Sequence, residues 1–356
     1  MSASRSFTTL VCTTALVAGI FAFSPLAEAC TRFVYHGASD QIMTARSMDW
    51  VDDIDTNLWI FPRGMKRSGE AGKNSLQWTS KYGSVIASGY DISTTDGMNE
   101  AGLTVSLLWL SESVYPKQDG KTPGLTIAAW GQYVLDSFAT VDEAVKVLSK
   151  QTFIPVTAGV PGQNRMATVH LAISDPSGDS AIIEYVAGKQ TIHHGKQYQV
   201  MTNSPVYDQQ LALNTYWQQI GGTVMLPGTN RASDRFARAD FYANVIPKTD
   251  NPVETVASVL SVIRNTSVPY GISTAGEPNI SSTRWRTVSD HKRKLYFFES
   301  AMSPNTFWVD LKNIDFSKET GKVKKLDLGP NQRNIFAGEA NDKFVDSQPF
   351  VFLGEG

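Results

Sequence analysis

The sequence predicts an α+β fold of antiparallel sheets with helices in separate blocks, and three observations predict it. Short runs of alternating apolar and polar residues follow one another across brief turns, the pattern of antiparallel meanders rather than of strict strand–helix alternation. Helix-period segments stand in groups between them. The chain has 356 residues, 42% hydrophobic and 10% aromatic, enough for a large packed core, which excludes a disordered chain and a disulfide miniprotein.

Strands are expected at 31–36 and 41–46, joined into a hairpin by a turn at Ala38-Ser39-Asp40. Further strands fall at 57–62, 84–89 and 103–109; before the last, Asp96-Gly97 reads as a turn. Helices follow at 124–138 and 141–150, the second opened by a Thr140…Glu143 capping box. Strands at 166–174 and 181–186 flank the turn Pro176-Ser177-Gly178-Asp179, and another lies at 198–202. Helices at 232–246 and 253–264, the latter beginning just after Pro252, precede strands at 283–289, 294–300 and 305–311. With no Pro/Ser-rich linker and no internal repeat, residues 30–356 read as a single domain.

Lysine and arginine total 32 against 34 acidic residues, and no block of like charges interrupts the balance. Nucleic-acid binding therefore has no electrostatic support. Residues 1–29 carry Arg5, an apolar run from Phe7 to Phe23, then Ser24, Pro25 and Ala27-Glu28-Ala29. This is the pattern of a cleaved signal peptide, so the mature chain is expected to be exported and without stable membrane insertion. Cleavage after Ala29 discards Cys12 and makes the remaining cysteine, Cys30, the first residue.

A single thiol cannot form an internal disulfide, so Cys30 needs another explanation. Lipidation would fit a cysteine directly after a signal, as in a lipid-anchored periplasmic binding protein. It requires a large aliphatic residue three positions earlier, where this chain has Ala27 followed by a charged Glu28. The chemically richer reading is a nucleophile whose freed α-amino group is its own general base, since that amine titrates near pH 8 and lies a few bonds from the sulfur. A papain-like pairing with His170 is weaker, because its alternating neighbours make it a strand residue. His193-His194, adjacent on a strand, would point to opposite faces, and no metal site or cofactor is expected.

Cys30, the RSMDW segment at 46–50, DGMNEAGL at 96–103, MTNSP at 201–205 and PGTNRASDRF at 227–236 together resemble the choloylglycine hydrolase family. These are N-terminal-nucleophile amidases that include conjugated bile salt hydrolases and penicillin V acylases, and the likeness is to the acylases of Gram-negative bacteria. The resemblance implies a four-layer αββα sandwich of two antiparallel sheets between helix layers, a homotetramer and a periplasmic location. It implies Cys30 as nucleophile, with Arg46, Asp49, Asn203 and Arg235 around it, and puts Trp109 where the family often has Asn or Tyr.

Each assignment has a physical reason. A guanidinium at Arg46 favours the thiolate, Asp49 would orient the amine by accepting its hydrogen bonds, and Asn203 offers an amide donor for an oxyanion. Arg235 would add positive charge near that oxyanion or the leaving group. An indole cannot replace an amide, so at position 109 the oxyanion donor would be the backbone N–H, and Trp109 with Trp50 would wall the acyl pocket. Those flat apolar surfaces suit a phenoxyacetyl ring or a fatty-acyl chain better than a hydroxylated steroid. Taken singly, an Arg/Asp pair is an ordinary ion pair, an Asn before Ser-Pro a turn residue and a Trp in LTVSLLWL a core residue. Their joint order carries the reading.

Overall fold

Every residue of the strand Ile42–Trp50 is buried, which a strand achieves only when both of its faces are covered. The computed structural model describes residues 30–273 and 281–354, so the expected signal peptide lies outside the described residues. Ile42–Trp50 runs antiparallel between Thr31–His36 and Ser282–Asp290 in a seven-stranded sheet. Val200–Thr202 forms one edge beside Thr31–His36; the other side continues through Leu295–Ser300 and Thr306–Asp310 to Gly338–Glu339, which joins in parallel. The hairpin turn holds Ser39 and Asp40 at φ of 49° and 56°, the left-handed region that a tight reversal uses.

A nine-stranded sheet faces it, in the order Lys189–His194, Ser180–Val186, Val169–Ser174, Thr104–Trp109, Ser93–Asn99, Ser84–Gly89, Leu58–Phe61, Lys324–Leu326 and Val345–Asp346. The expectation of a turn at Asp96-Gly97 is corrected here, because both residues lie inside the strand Ser93–Asn99. Gly97 serves close packing instead: a Cβ on it would sit 2.7 Å from both the Ile86 side chain and the Val85 carbonyl.

Helices α1 (Ile127–Ser137) and α2 (Val141–Leu148) cover the outer face of the nine-stranded sheet. Thr140 caps α2 by accepting from the Glu143 N–H at 3.2 Å, while the Glu143 carboxylate accepts from the Ala139 N–H at 2.9 Å. Helices α3 (Tyr207–Ile220), α4 (Ala232–Val245) and α5 (Pro252–Asn265) lie on the side of the seven-stranded sheet, α4 and α5 directly against its strands and α3 against α4. α5 includes Pro252 as its first residue, behind an Asn251 cap. The result is four layers, with one core running between the sheets and out to α4 and α5, and another between the nine-stranded sheet and α1 and α2. Helix α3 has no sequence signature of amphipathicity, since it buries only Tyr207, Gln210 and Asn214.

Candidate active site

Cys30 immediately precedes the strand Thr31–His36, and the hairpin register sets Thr31 opposite Ser47. The partner strand runs on to Trp50, so Asp49 reaches back beside the cysteine and its N–H donates to Cys30 Sγ at 3.5 Å. Strand alternation then sorts the neighbours: Arg46, Met48 and Trp50 share one face, Ser47 and Asp49 the other. Cys30 is 3% exposed, and burial pushes its thiol up to about 11, with Asp49 raising it further and Arg46 and Arg235 opposing.

Arg46 crosses to the other sheet, where its guanidinium donates to the Thr95 carbonyl and, at 2.7 Å, to the Leu107 carbonyl. It also stands 3.7 Å from the Asp96 carboxylate and over the Trp285 ring, 5.1 Å from the centroid. Asp96 is fixed in turn by Ser106, Thr287 and Tyr296, whose hydroxyls donate at 2.7, 3.1 and 2.7 Å. Asp49 accepts from the Thr283 hydroxyl and from the Ser47 hydroxyl at 3.4 Å. Its carboxyl is pushed up to about 6, burial outweighing the pull of Arg235, Thr283 and the other arginines.

Asn203 follows the edge strand Val200–Thr202, whose pairing with Thr31–His36 brings it to Cys30. Its Oδ1 accepts from the Cys30 N–H and from Arg235 at 3.1 Å, and its Nδ2 donates to the Trp109 carbonyl at 2.8 Å. The Cys30 N–H thus meets Asn203, whereas the Asp49 oxygens are engaged by hydroxyls. Arg235, on α4, donates to the Cys30 carbonyl at 2.5 Å and to Thr31 Oγ1 at 2.7 Å, so it grips the start of the strand. It is fully buried, which lowers its own pKa.

An apolar cavity of about 130 Å³ opens on Cys30 and Arg46. Trp50 and Trp109 meet on its wall with ring centroids 5.6 Å apart and planes tilted by 52°. The Trp50 indole donates to the Tyr90 hydroxyl at 2.8 Å, and the Arg165 guanidinium lies over both indoles, 4.3 Å from Trp109 and 5.3 Å from Trp50. Tyr90, Ile92, Ser93 and Thr95 bring the 90–95 segment to the cavity, and 158–161 adds a stretch no motif pointed to. Sequence reasoning also missed Thr283, Asp96 and Arg165, for which spacing offers no signal. His170 is elsewhere: it lies in Val169–Ser174 with Nδ1 3.0 Å from Glu184.

Residues 30–324 match the family of linear amide C–N hydrolases, choloylglycine hydrolase family. The chain is 60% identical to the penicillin V acylase of Pectobacterium atrosepticum over 366 residues, 97% of each chain. The structure of penicillin V acylase from Agrobacterium tumefaciens superimposes with a TM-score of 0.86 at 71% identity, covering 91% of this chain and all of that one. A conjugated bile acid hydrolase of Clostridium perfringens shares the fold at 21% identity with a TM-score of 0.71, covering 83% of this chain and 96% of its own.

Proposed function

The chain belongs to the choloylglycine hydrolase family of linear amide C–N hydrolases, and from that premise we propose that it is an exported acylase that cleaves penicillin V through a thioester on Cys30. The observation that carries the reading is the seat of Cys30, with its sulfur at an apolar cavity and its nitrogen held by Asn203. Removal of residues 1–29 turns that nitrogen from an amide, whose lone pair is delocalised, into an amine that can accept a proton.

The sulfur attacks the amide carbonyl carbon as its proton passes to the amine, which offsets the cost of ionising so buried a thiol. The C–N bond then breaks, the ammonium gives its proton to the departing nitrogen, and the acyl group remains on sulfur. Water, deprotonated by the same amine, attacks the thioester; the acid leaves and the thiol is restored. Arg46 and Arg235 supply positive charge, and Asn203 has a second amide hydrogen for the oxyanion. Trp50 and Trp109 favour a phenoxyacetyl group, and the apolar lining of the cavity extends the reading to fatty-acyl amides such as N-acyl homoserine lactones.

The intact mass of the purified protein tests this, taken before and immediately after mixing with penicillin V near neutral pH and quenching in acid, which protonates the amine and stops hydrolysis of the thioester already formed. A chain beginning at unmodified Cys30 that gains one phenoxyacetyl group is expected. A chain that keeps residues before Cys30, or carries lipid there, overturns the reading. Faster turnover of glycocholate than of penicillin V would favour bile salt hydrolysis instead. The periplasmic location is checked by cell fractionation, and the homotetramer by light scattering.

A further inference from the structure

Leu353 lines the same cavity as Cys30, although 322 intervening residues separate them in sequence. Its backbone is held on two sides: its N–H donates to the Ile92 carbonyl at 2.9 Å, and its carbonyl accepts from the Thr126 hydroxyl at 2.6 Å. Thr126 is the N-cap of α1, and both clamping residues themselves face the cavity. Neighbouring aromatics anchor the segment independently. Phe350 packs edge-on against Trp59 and Phe61, at 5.2 and 5.7 Å, and Phe352 is buried beneath the Arg67 guanidinium, 5.5 Å from its ring centroid.

The cavity lining spans both cores. Cys30, Trp50 and Trp109 belong to the core between the sheets, whereas Leu107, Ile127 and Leu353 pack with the core under α1. An acyl group attached to Cys30 enters a cavity that residues of both cores line, Leu353 among them. We infer that Leu353 is the residue that sets how long an acyl chain the site accepts. The inference rests on the acyl-amidase reading and deepens it.

Because the clamp uses backbone atoms, the side chain can change while the anchors remain. Leu353→Ala opens the pocket and shifts the preferred acyl chain to a longer one; Leu353→Trp shortens it. Each methylene denied room should lower kcat/KM by about 10-fold or more. The measurement is kcat/KM of the parent and both variants on butanoyl, hexanoyl, octanoyl, decanoyl and dodecanoyl amides, beside Kd values of the matching free fatty acids for Cys30→Ala proteins with each residue at 353. Optima that move in opposite directions support the inference. Equal scaling of all lengths, or no change, overturns it. A parent that hydrolyses no amide defeats the acylase reading, and the Kd series still decides the role of Leu353. If either variant fails to melt cooperatively, Leu353→Val and Leu353→Phe must shift the optimum in the same two directions.

Discussion

On one face of the strand Ile42–Trp50, Ser47 and Asp49 sit in a continuous polar network with Thr31, Thr283 and Arg235; on the other, Met48 and Trp50 meet the cavity through apolar contact and ring stacking. The polar face is over-determined, since each buried group has several partners that fix its position. Arg46 on the cavity face is fixed by its hydrogen bonds to the opposite sheet, but around Met48 and Trp50 that face is held largely by dispersion and cation–π attraction, which tolerate reshaping. Chemistry should thus fail abruptly when the first face is altered, and substrate choice should drift gradually when the second is.

The largest break is at the nucleophile that both faces share. Cys30→Ala is expected to lower kcat/KM for penicillin V by about 10⁴-fold or more, read by release of the amine product, with the melting temperature little changed. Removing the clamp comes next. Arg235→Ala strips a cation from beside buried Asp49 and leaves the Cys30 carbonyl and Asn203 Oδ1 short of a donor, a loss of about 3–5 kcal/mol of stability in denaturant titration. Asn203→Ala, which removes one oxyanion donor, should cost about 10²–10³ in kcat.

Asp49 separates charge from structure. Its carboxyl ionises at about 6 in the folded chain against an ordinary 3.8, so the unfolded chain loses its proton first as pH rises. Native stability is consequently lost between those values and stays lower above them, by on the order of 3 kcal/mol at most. Asp49→Asn should melt higher than the parent above pH 6 and equally with it at acid pH, while its turnover falls. The smallest effect belongs to the cavity face: Arg165→Gln removes the cation over both indoles, about 1 kcal/mol, seen as a roughly fivefold rise in KM for aromatic acyl groups with kcat unchanged.

The legible part of the site is the part built locally. Cys30, Arg46 and Asp49 lie on one hairpin whose turn and alternation are written in consecutive residues. Asn203 and Arg235 could be named only through the order of motifs, because nothing in MTNSP or SDRF says which edge strand or helix they will join. Thr283 donates to Asp49 from 234 positions away, and only the pairing of Ser282–Asp290 with Ile42–Trp50 creates that contact. Asp96-Gly97 misled for a physical reason: glycine serves both tight turns and close strand packing, and composition does not distinguish them. Helix α3 stayed hidden because a helix packed mainly on another helix needs no apolar stripe.

Asn203 has a consequence for heat. One end of its amide holds Cys30 at the start of an inner strand of the seven-stranded sheet, and the other holds the Trp109 carbonyl of the nine-stranded sheet. Asn203 thus gauges the spacing between the two slabs at the nucleophile itself, one polar tie beside those that Arg46, Thr287 and Tyr296 make across the same interface. Hydrogen bonds weaken steeply with small changes in length and angle, while apolar packing yields more gradually. As the slabs loosen on warming, the gauge gives way first, and turnover should decline while the sheets are still intact.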